Sequence, residues 1–293
     1  MKGLSYIKAK QQNWAKRKGY ELVGGTLPNE GEKNYVDALE INIFGKSLYA
    51  ETIKNFMEGD GGELKDSKNN RAKMKAIHSS SALPVNIFQY WQYKDPIPIL
   101  YACRLTNRKM FDQNFQTNGI RFEQKFEISP NRKFFPRKPN LDVVIDHNKM
   151  VYAIESKFTE PYQSGKKPQG LREAYFSQKD LWKGMENLKE LAVSLSTGKA
   201  GFEYLDVAQL IKHILGLKNK KKKSGFVLLY LWYDVIGPEG TAHRAEIERF
   251  AAIVKQDNID FRHITYQEVI VRLANNFRED HKDYVDYLTE RYL

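Results

Sequence analysis

Pro139-Asn140-Leu141-Asp142-Val143-Val144-Ile145 and Val151-Tyr152-Ala153-Ile154-Glu155-Ser156-Lys157 are two apolar runs joined by the polar turn Asp146-His147-Asn148-Lys149. Aliphatic and β-branched runs on either side of a polar turn read as the strands of a hairpin. An Asp, a Glu and a Lys stand where its core would carry aliphatics. A buried charge without a partner costs several kcal/mol, so such groups pair or bind a metal. An Asp and a Glu beside a Lys have the makings of a cation site that prepares a water for attack. Phosphodiester cleavage is the chemistry this predicts.

The triplet Glu-x-Lys alone carries little information, because it occurs three times, at Glu63-Leu64-Lys65, Glu123-Gln124-Lys125 and Glu155-Ser156-Lys157. Context separates the copies. From Ile120 to Ile128 the pattern alternates, with Ile120, Phe122, Phe126 and Ile128 on one face and Arg121, Glu123, Lys125 and Glu127 on the other. This predicts a strand with one solvated face. Around the third copy, Val151 and Ala153 share the face of Glu155 and Lys157, while Tyr152, Ile154 and Phe158 take the other. Both faces read as buried.

Register sharpens the expectation. A loop of even length, with Asp146 facing Lys149 or Ile145 facing Met150, sets Asp142 opposite Ala153 and on the face of Glu155 and Lys157. Diagonal neighbours lie about 7–8 Å apart, so the two carboxylates can converge on one cation. A one-residue slip sends Asp142 to the other face. The competing reading is a twisted hairpin whose Glu–Lys pair is merely a surface contact.

The chain has 293 residues, 41% of them hydrophobic, and a formal charge of +11, which suits a polyanionic partner. Cys103 is the only cysteine, which leaves no disulfide framework or Cys-based zinc site and favours a reducing cytoplasm. Phe226 to Tyr233 is too short to cross a bilayer, the N-terminus lacks a signal-peptide core, and no Walker-type loop appears. The expectation is a soluble cytoplasmic protein without membrane attachment or ATP hydrolysis.

Helices are predicted at Ala82 to Tyr93 behind a serine cap, Tyr175 to Leu195, Phe202 to Leu217, Ala242 to Val254, and along a tail from Glu268 to Leu293. Phe226 to Val235 reads as a buried strand and Ile259 to Tyr266 as an edge strand. The expected organisation is a helical and loop region at 1–81, a core at 82–240 and a helical extension at 241–293. The core is α/β, a four-stranded mixed sheet flanked by helices.

Pro139 with Asp142 three residues on, then Glu155-Ser156-Lys157 on the next strand, resembles the PD-(D/E)xK nuclease superfamily and its restriction-endonuclease-like fold. The spacing from Pro139 to Asp142 departs from the shorthand. Further blocks are similar to a bacterial branch of that superfamily: Gly61-Gly62-Glu63-Leu64, Lys73 to Leu83, Glu155 to Glu160, and Leu205 to His213. The resemblance implies that Asp142 and Glu155 ligate Mg²⁺, or Mn²⁺ in its place, with the Ser156 carbonyl as a further ligand. It implies that Lys157 orients or helps deprotonate the attacking water, and that cleavage leaves a 5′-phosphate. The substrate it implies is DNA in restriction, defence or repair. The alternatives are a ribonuclease using the same site and an inactive nucleic-acid-binding protein of the same fold.

Superfamily members often carry one more acid. Glu63, in a glycine-rich turn, is the first candidate and Glu123 the rival, each weighed against an exposed surface carboxylate. Gln209 and His213 lie four apart on one helix face, and such a helix often offers a Gln or basic residue to the site. His78 beside three serines reads as structural. Arg132, Lys133, Arg137 and Lys138 just before Asp142, with Lys166 and Lys167 after the second strand, are candidate phosphate contacts. The run Lys218, Lys220, Lys221, Lys222 and Lys223 reads first as a solvated loop. Symmetric double-strand cutting would require a homodimer.

Overall fold

A computed structural model describes residues 2–27, 30–59, 62–107, 119–131, 135–136, 138–147, 149–163, 165, 170–221 and 223–293. Helices α1 (Gly3–Arg17), α2 (Ala50–Glu58), α3 (Ala82–Phe88) and α4 (Ile97–Ala102) precede strand β1 (Ile120–Lys125). Strands β2 (Asn140–His147) and β3 (Met150–Lys157) form the hairpin. Helices α5 (Glu186–Ser196) and α6 (Val207–Lys221) lead to β4 (Phe226–Trp232), and α7 (Pro238–Gln256) leads to β5 (Phe261–Thr265). Helices α8 (Tyr266–Phe277) and α9 (Lys282–Tyr292) follow.

The sheet has the order β1-β2-β3-β4-β5. Pairing is antiparallel from β1 to β3 and parallel from β3 to β5. The α/β class therefore holds, but the four-stranded sheet is corrected to five. The edge segment expected near Ile259 joins the same sheet, because Leu228 to Trp232 pair with Phe261 to Thr265. All seven residues of β4 are buried, as expected of a strand with parallel neighbours on both sides and helices on both faces.

Two apolar layers cover the sheet. Val143, Ile145, Ile154, Leu229 and Leu231 pack with α3, α4, α8 and α9 on one side. Val144, Val151, Ala153, Leu228 and Tyr230 pack with α5, α6 and α7 on the other. Since side chains alternate along a strand, Asp142, Glu155 and Lys157 belong to the face covered by α6.

The expected alternation along Ile120 to Ile128 fails at its centre. Ile120 and Phe122 join the first layer, whereas Phe126 and Ile128 join the second. Glu123 sits between them with φ 53°, a left-handed conformation uncommon for a residue with a Cβ. That one residue carries the chain from one side of the sheet to the other.

Elsewhere several boundaries move. Tyr175 lies in a short turn and helix α5 begins only at Glu186. Lys218, Lys220 and Lys221 belong to the last turn of α6 rather than to a loop, a favourable place for cations at a helix C-terminus. The tail is two helices rather than one. The residue before α3 is a serine, Ser81, but its side chain makes no capping bond; instead Ser79 Oγ accepts from the Ala82 N–H at 3.2 Å. Arg291 of α9, 2% exposed, binds the carbonyls of Asn42 and Ile77 and lies 4.1 Å from the Trp14 ring, fastening α9 to the N-terminal region.

Candidate active site

Hairpin register brings the charges together. His147 pairs with Met150, and the ladder runs to Val143 opposite Ile154. The loop is even, but the register is two residues further along than the one argued from Ile145 and Met150. One more step sets Asp142 opposite Glu155 itself. Asp146 and His147, read as turn, belong to β2, and Arg121 on β1 pairs with Asp146.

Glu155 is 1% exposed. Lys157 Nζ lies 2.5 Å from its Oε1 and His213 Nε2 lies 2.8 Å from its Oε2. Both nitrogens stand against the carboxylate without hydrogen-bond angles, neither buried oxygen having a directed partner among the described residues. Burial alone would raise the Glu155 carboxyl, but Lys157 and His213 outweigh it and hold it down to about 2.

Asp142 moves the opposite way. Burial first, then the Glu155 charge, push its carboxyl well above the usual range, against the pull of Lys157 and the Ser156 N–H. That N–H donates to Asp142 Oδ2 at 2.6 Å. Two carboxylates with opposed shifts are the signature of like charges sharing one site. Lys157 stays charged: burial lowers it, but Glu155, Glu160 and Asp142 raise it further.

Helix α6 completes the arrangement. Asp206 Oδ1, just before its first residue, accepts from the Gln209 N–H at 2.9 Å and so caps it. Gln209 Oε1 accepts from Lys157 Nζ at 2.9 Å. His213, one turn on, reaches Glu155. Gly216 explains how the helix comes so close, because a Cβ there would stand 2.9 Å from Phe126 Cβ and 3.2 Å from Pro139 Cγ. The pairing of His213 with Glu155 was not legible beforehand; its only signal was the four-residue spacing from Gln209.

Ser156 has its N–H on Asp142 and its hydroxyl 2.6 Å from that of Tyr266. Glu63 stands with other partners, Ser81 Oγ at 2.8 Å and Lys73 Nζ at 3.1 Å. Glu123 is half-buried and accepts from the Asn140 side-chain amide. Lys138 is exposed, pairs with Glu127 at 2.8 Å, and lines a cleft of about 670 Å³ with Pro139, Arg172, Tyr175 and Lys212. Arg132, Lys133, Arg137, Lys166 and Lys167 lie outside the described residues. His78 has a buried Nδ1 with no hydrogen-bond partner among the described residues, and burial lowers its pKa to about 4.

The donor set suits a hard divalent cation. Oxygen ligands dominate, and both Glu155 oxygens are buried without directed bonds. A cation between the two carboxylates would favour the charged form of Asp142, which burial first and the Glu155 charge second oppose. Among the described residues, no three His, Cys, Asp or Glu side chains already converge as a cage.

Paired carboxylates and a lysine on adjoining strands of an α/β sheet thus meet under α6. The chain belongs to the family described as Restriction Endonuclease associating with ARP, which matches residues 8–293. That membership places it among nucleases acting on nucleic acid. No curated protein and no solved structure matches the chain. Among the described residues, no helix is long and apolar enough to cross a membrane.

Proposed function

We propose that the chain is a metal-dependent nuclease of the PD-(D/E)xK kind that hydrolyses phosphodiester bonds in DNA. The observation that carries this reading is the meeting of Asp142, Glu155 and Lys157 on one face of β2 and β3, under α6. Asp142 and Glu155 are the residues to hold Mg²⁺ or Mn²⁺. Such a cation lowers the pKa of a bound water and offsets charge gathering on the phosphate.

The side chains divide the remaining work. Charged Lys157, steadied by Gln209, is suited to orient the attacking water by donating to it and to stabilise the developing negative charge. The water's oxygen bonds to phosphorus and loses a proton to solvent, the P–O3′ bond breaks, and the leaving oxygen departs with the electron pair and takes up a proton from solvent to become the 3′-hydroxyl. His213 holds Glu155 in place. Lys138, Arg172 and Lys212 line a cleft whose rim includes Pro139, three residues before Asp142, and are suited to backbone phosphates. The five basic residues at 132, 133, 137, 166 and 167 are proposed as phosphate contacts on their sequence positions alone. Association with a partner of the ARP type follows from the family's description and is proposed with it.

Plasmid nicking tests the reading. Cleavage with Mg²⁺ that stops with EDTA and disappears in both Asp142→Ala and Lys157→Ala is the expected result. Cleavage undiminished in both variants rejects the assignment, and cleavage of RNA alone replaces DNA as substrate.

A further inference from the structure

Lys157 turns its backbone to β4, its carbonyl accepting from the Tyr233 N–H at 2.9 Å. Backbone groups alternate along a strand, so Ser156 turns its N–H and carbonyl to β2. The β2–β3 ladder ends at Val143–Ile154 and does not reach it, while β3 stays paired with β4 through Lys157 and Trp232. Where the two strands part, the Asp142 carboxylate takes the Ser156 N–H at 2.6 Å in place of a β2 carbonyl. The peptide that orients Asp142 is therefore held by side chains rather than by the ladder.

From the opposite face of the sheet a second side chain grips the same residue. Ser156 Oγ lies 2.6 Å from Tyr266 Oη, and among the described residues this is the only hydrogen bond either hydroxyl makes. Both residues are buried, at 3% and 0% exposure. Burying a hydroxyl carries a cost that a phenylalanine of the same shape would not, so the hydroxyl of Tyr266 has a task. Tyr266 opens α8 directly after β5, and the Thr265–Glu268 capping box fixes that turn. Resting on the nuclease reading above, we propose that Tyr266 is a positioning residue for the reaction. Through the Ser156 hydroxyl it sets the Ser156 N–H against Asp142, and so aims a carboxylate on the far side of the sheet. Tyr266 belongs to the apolar layer away from α6, so it acts only through Ser156.

Removing one hydroxyl, then both, separates positioning from packing. A buried hydroxyl left without its partner destabilises, whereas replacing both by apolar groups is nearly neutral. In Tyr266→Phe, kcat for nicking is expected to fall roughly tenfold with KM unchanged, and the Ser156 amide to exchange with solvent roughly tenfold faster in EDTA. In the double variant Tyr266→Phe with Ser156→Ala, the melting temperature is expected to return toward wild type. The slow rate and the fast exchange at position 156 are expected to persist. Tyr284→Phe is the control, since its equally buried hydroxyl donates to the Ile87 carbonyl at 2.6 Å. It is expected to melt lower while keeping wild-type kcat. A wild-type kcat or an unchanged Ser156 amide in Tyr266→Phe overturns the proposal, as does an equal loss of kcat in Tyr284→Phe. Rate and protection returning with stability in the double variant also overturn it and leave a packing role. Absence of cleavage by the wild type overturns the nuclease reading instead. Amide exchange, measured without metal, then still decides whether Tyr266 holds this peptide.

Discussion

Two copies of Glu-x-Lys flank Asp142, one on each neighbouring strand, and they meet different fates. In Glu155-Ser156-Lys157 both charged side chains are shielded, the lysine side chain is 12% exposed, and each charge meets its opposite. In Glu123-Gln124-Lys125 the lysine is exposed and donates to the Glu58 carbonyl at 3.3 Å, while the glutamate turns to Asn140. The triplet is identical in form and in its register against β2. What differs is the cover: α6 lies over Glu155 and Lys157, whereas β1 is an edge strand whose backbone reverses its facing at Glu123. Chemistry here follows from what packs on a motif.

The largest expected effect separates the two lysines. Lys157→Met lowers the nicking rate by roughly 10²–10⁴-fold, the range for a group acting on the reacting water, while Lys125→Met leaves the rate near wild type. Gln209→Ala comes next. It removes one hydrogen bond to a charged group, worth about 1.5–3 kcal/mol, and is expected to slow turnover roughly 10–100-fold with little change in KM. Single-turnover kinetics across both variants would distinguish positioning from substrate binding.

Packing gives the third. Gly216→Ala offers α6 a better helix former, but its Cβ meets Phe126 Cβ at 2.9 Å. Overpacking costs about 1–3 kcal/mol, so the variant is expected to melt lower and to loosen the contact of His213 with Glu155. Melting at or above wild type would show that α6 is not held by this close approach.

The smallest effect is a pH signature in EDTA. Glu155 has a folded-state pKa of about 2 against 4.5, so its contribution is present above pH 4.5 and lost as pH falls toward 2. Asp142 is raised, so its contribution is greatest below pH 3.8 and lost as pH rises. Asp142→Asn is therefore expected to raise the melting temperature near neutral pH, and Glu155→Gln to flatten the acid limb. Thermal melts across pH 2–8 check both signs, and a drop at neutral pH in Asp142→Asn would contradict the repulsion.

Much of the hairpin was legible because charges in an apolar run are costly and demand a reason. The face shared by Asp142, Glu155 and Lys157 followed from parity. The exact register did not, since two registers differing by two residues bury the same faces. Asp146 and His147 look like turn residues but extend β2, with Arg121 supplying a partner for Asp146. The left-handed residue in β1 left no mark on the pattern, because Phe126 and Ile128 are apolar whichever side they reach. His213 was hidden for a different reason: its role depends on how closely α6 docks, which Gly216 permits and no local pattern announces. The fifth strand was visible as an edge segment, but its place in the sheet depends on pairing with distant β4.

Anomalous diffraction from crystals soaked in Mn²⁺ tests the central claim most directly. The account predicts a peak between the carboxylates of Asp142 and Glu155, on the face under α6. A peak at Glu63 and Lys73 instead, or none at saturating Mn²⁺, would contradict it.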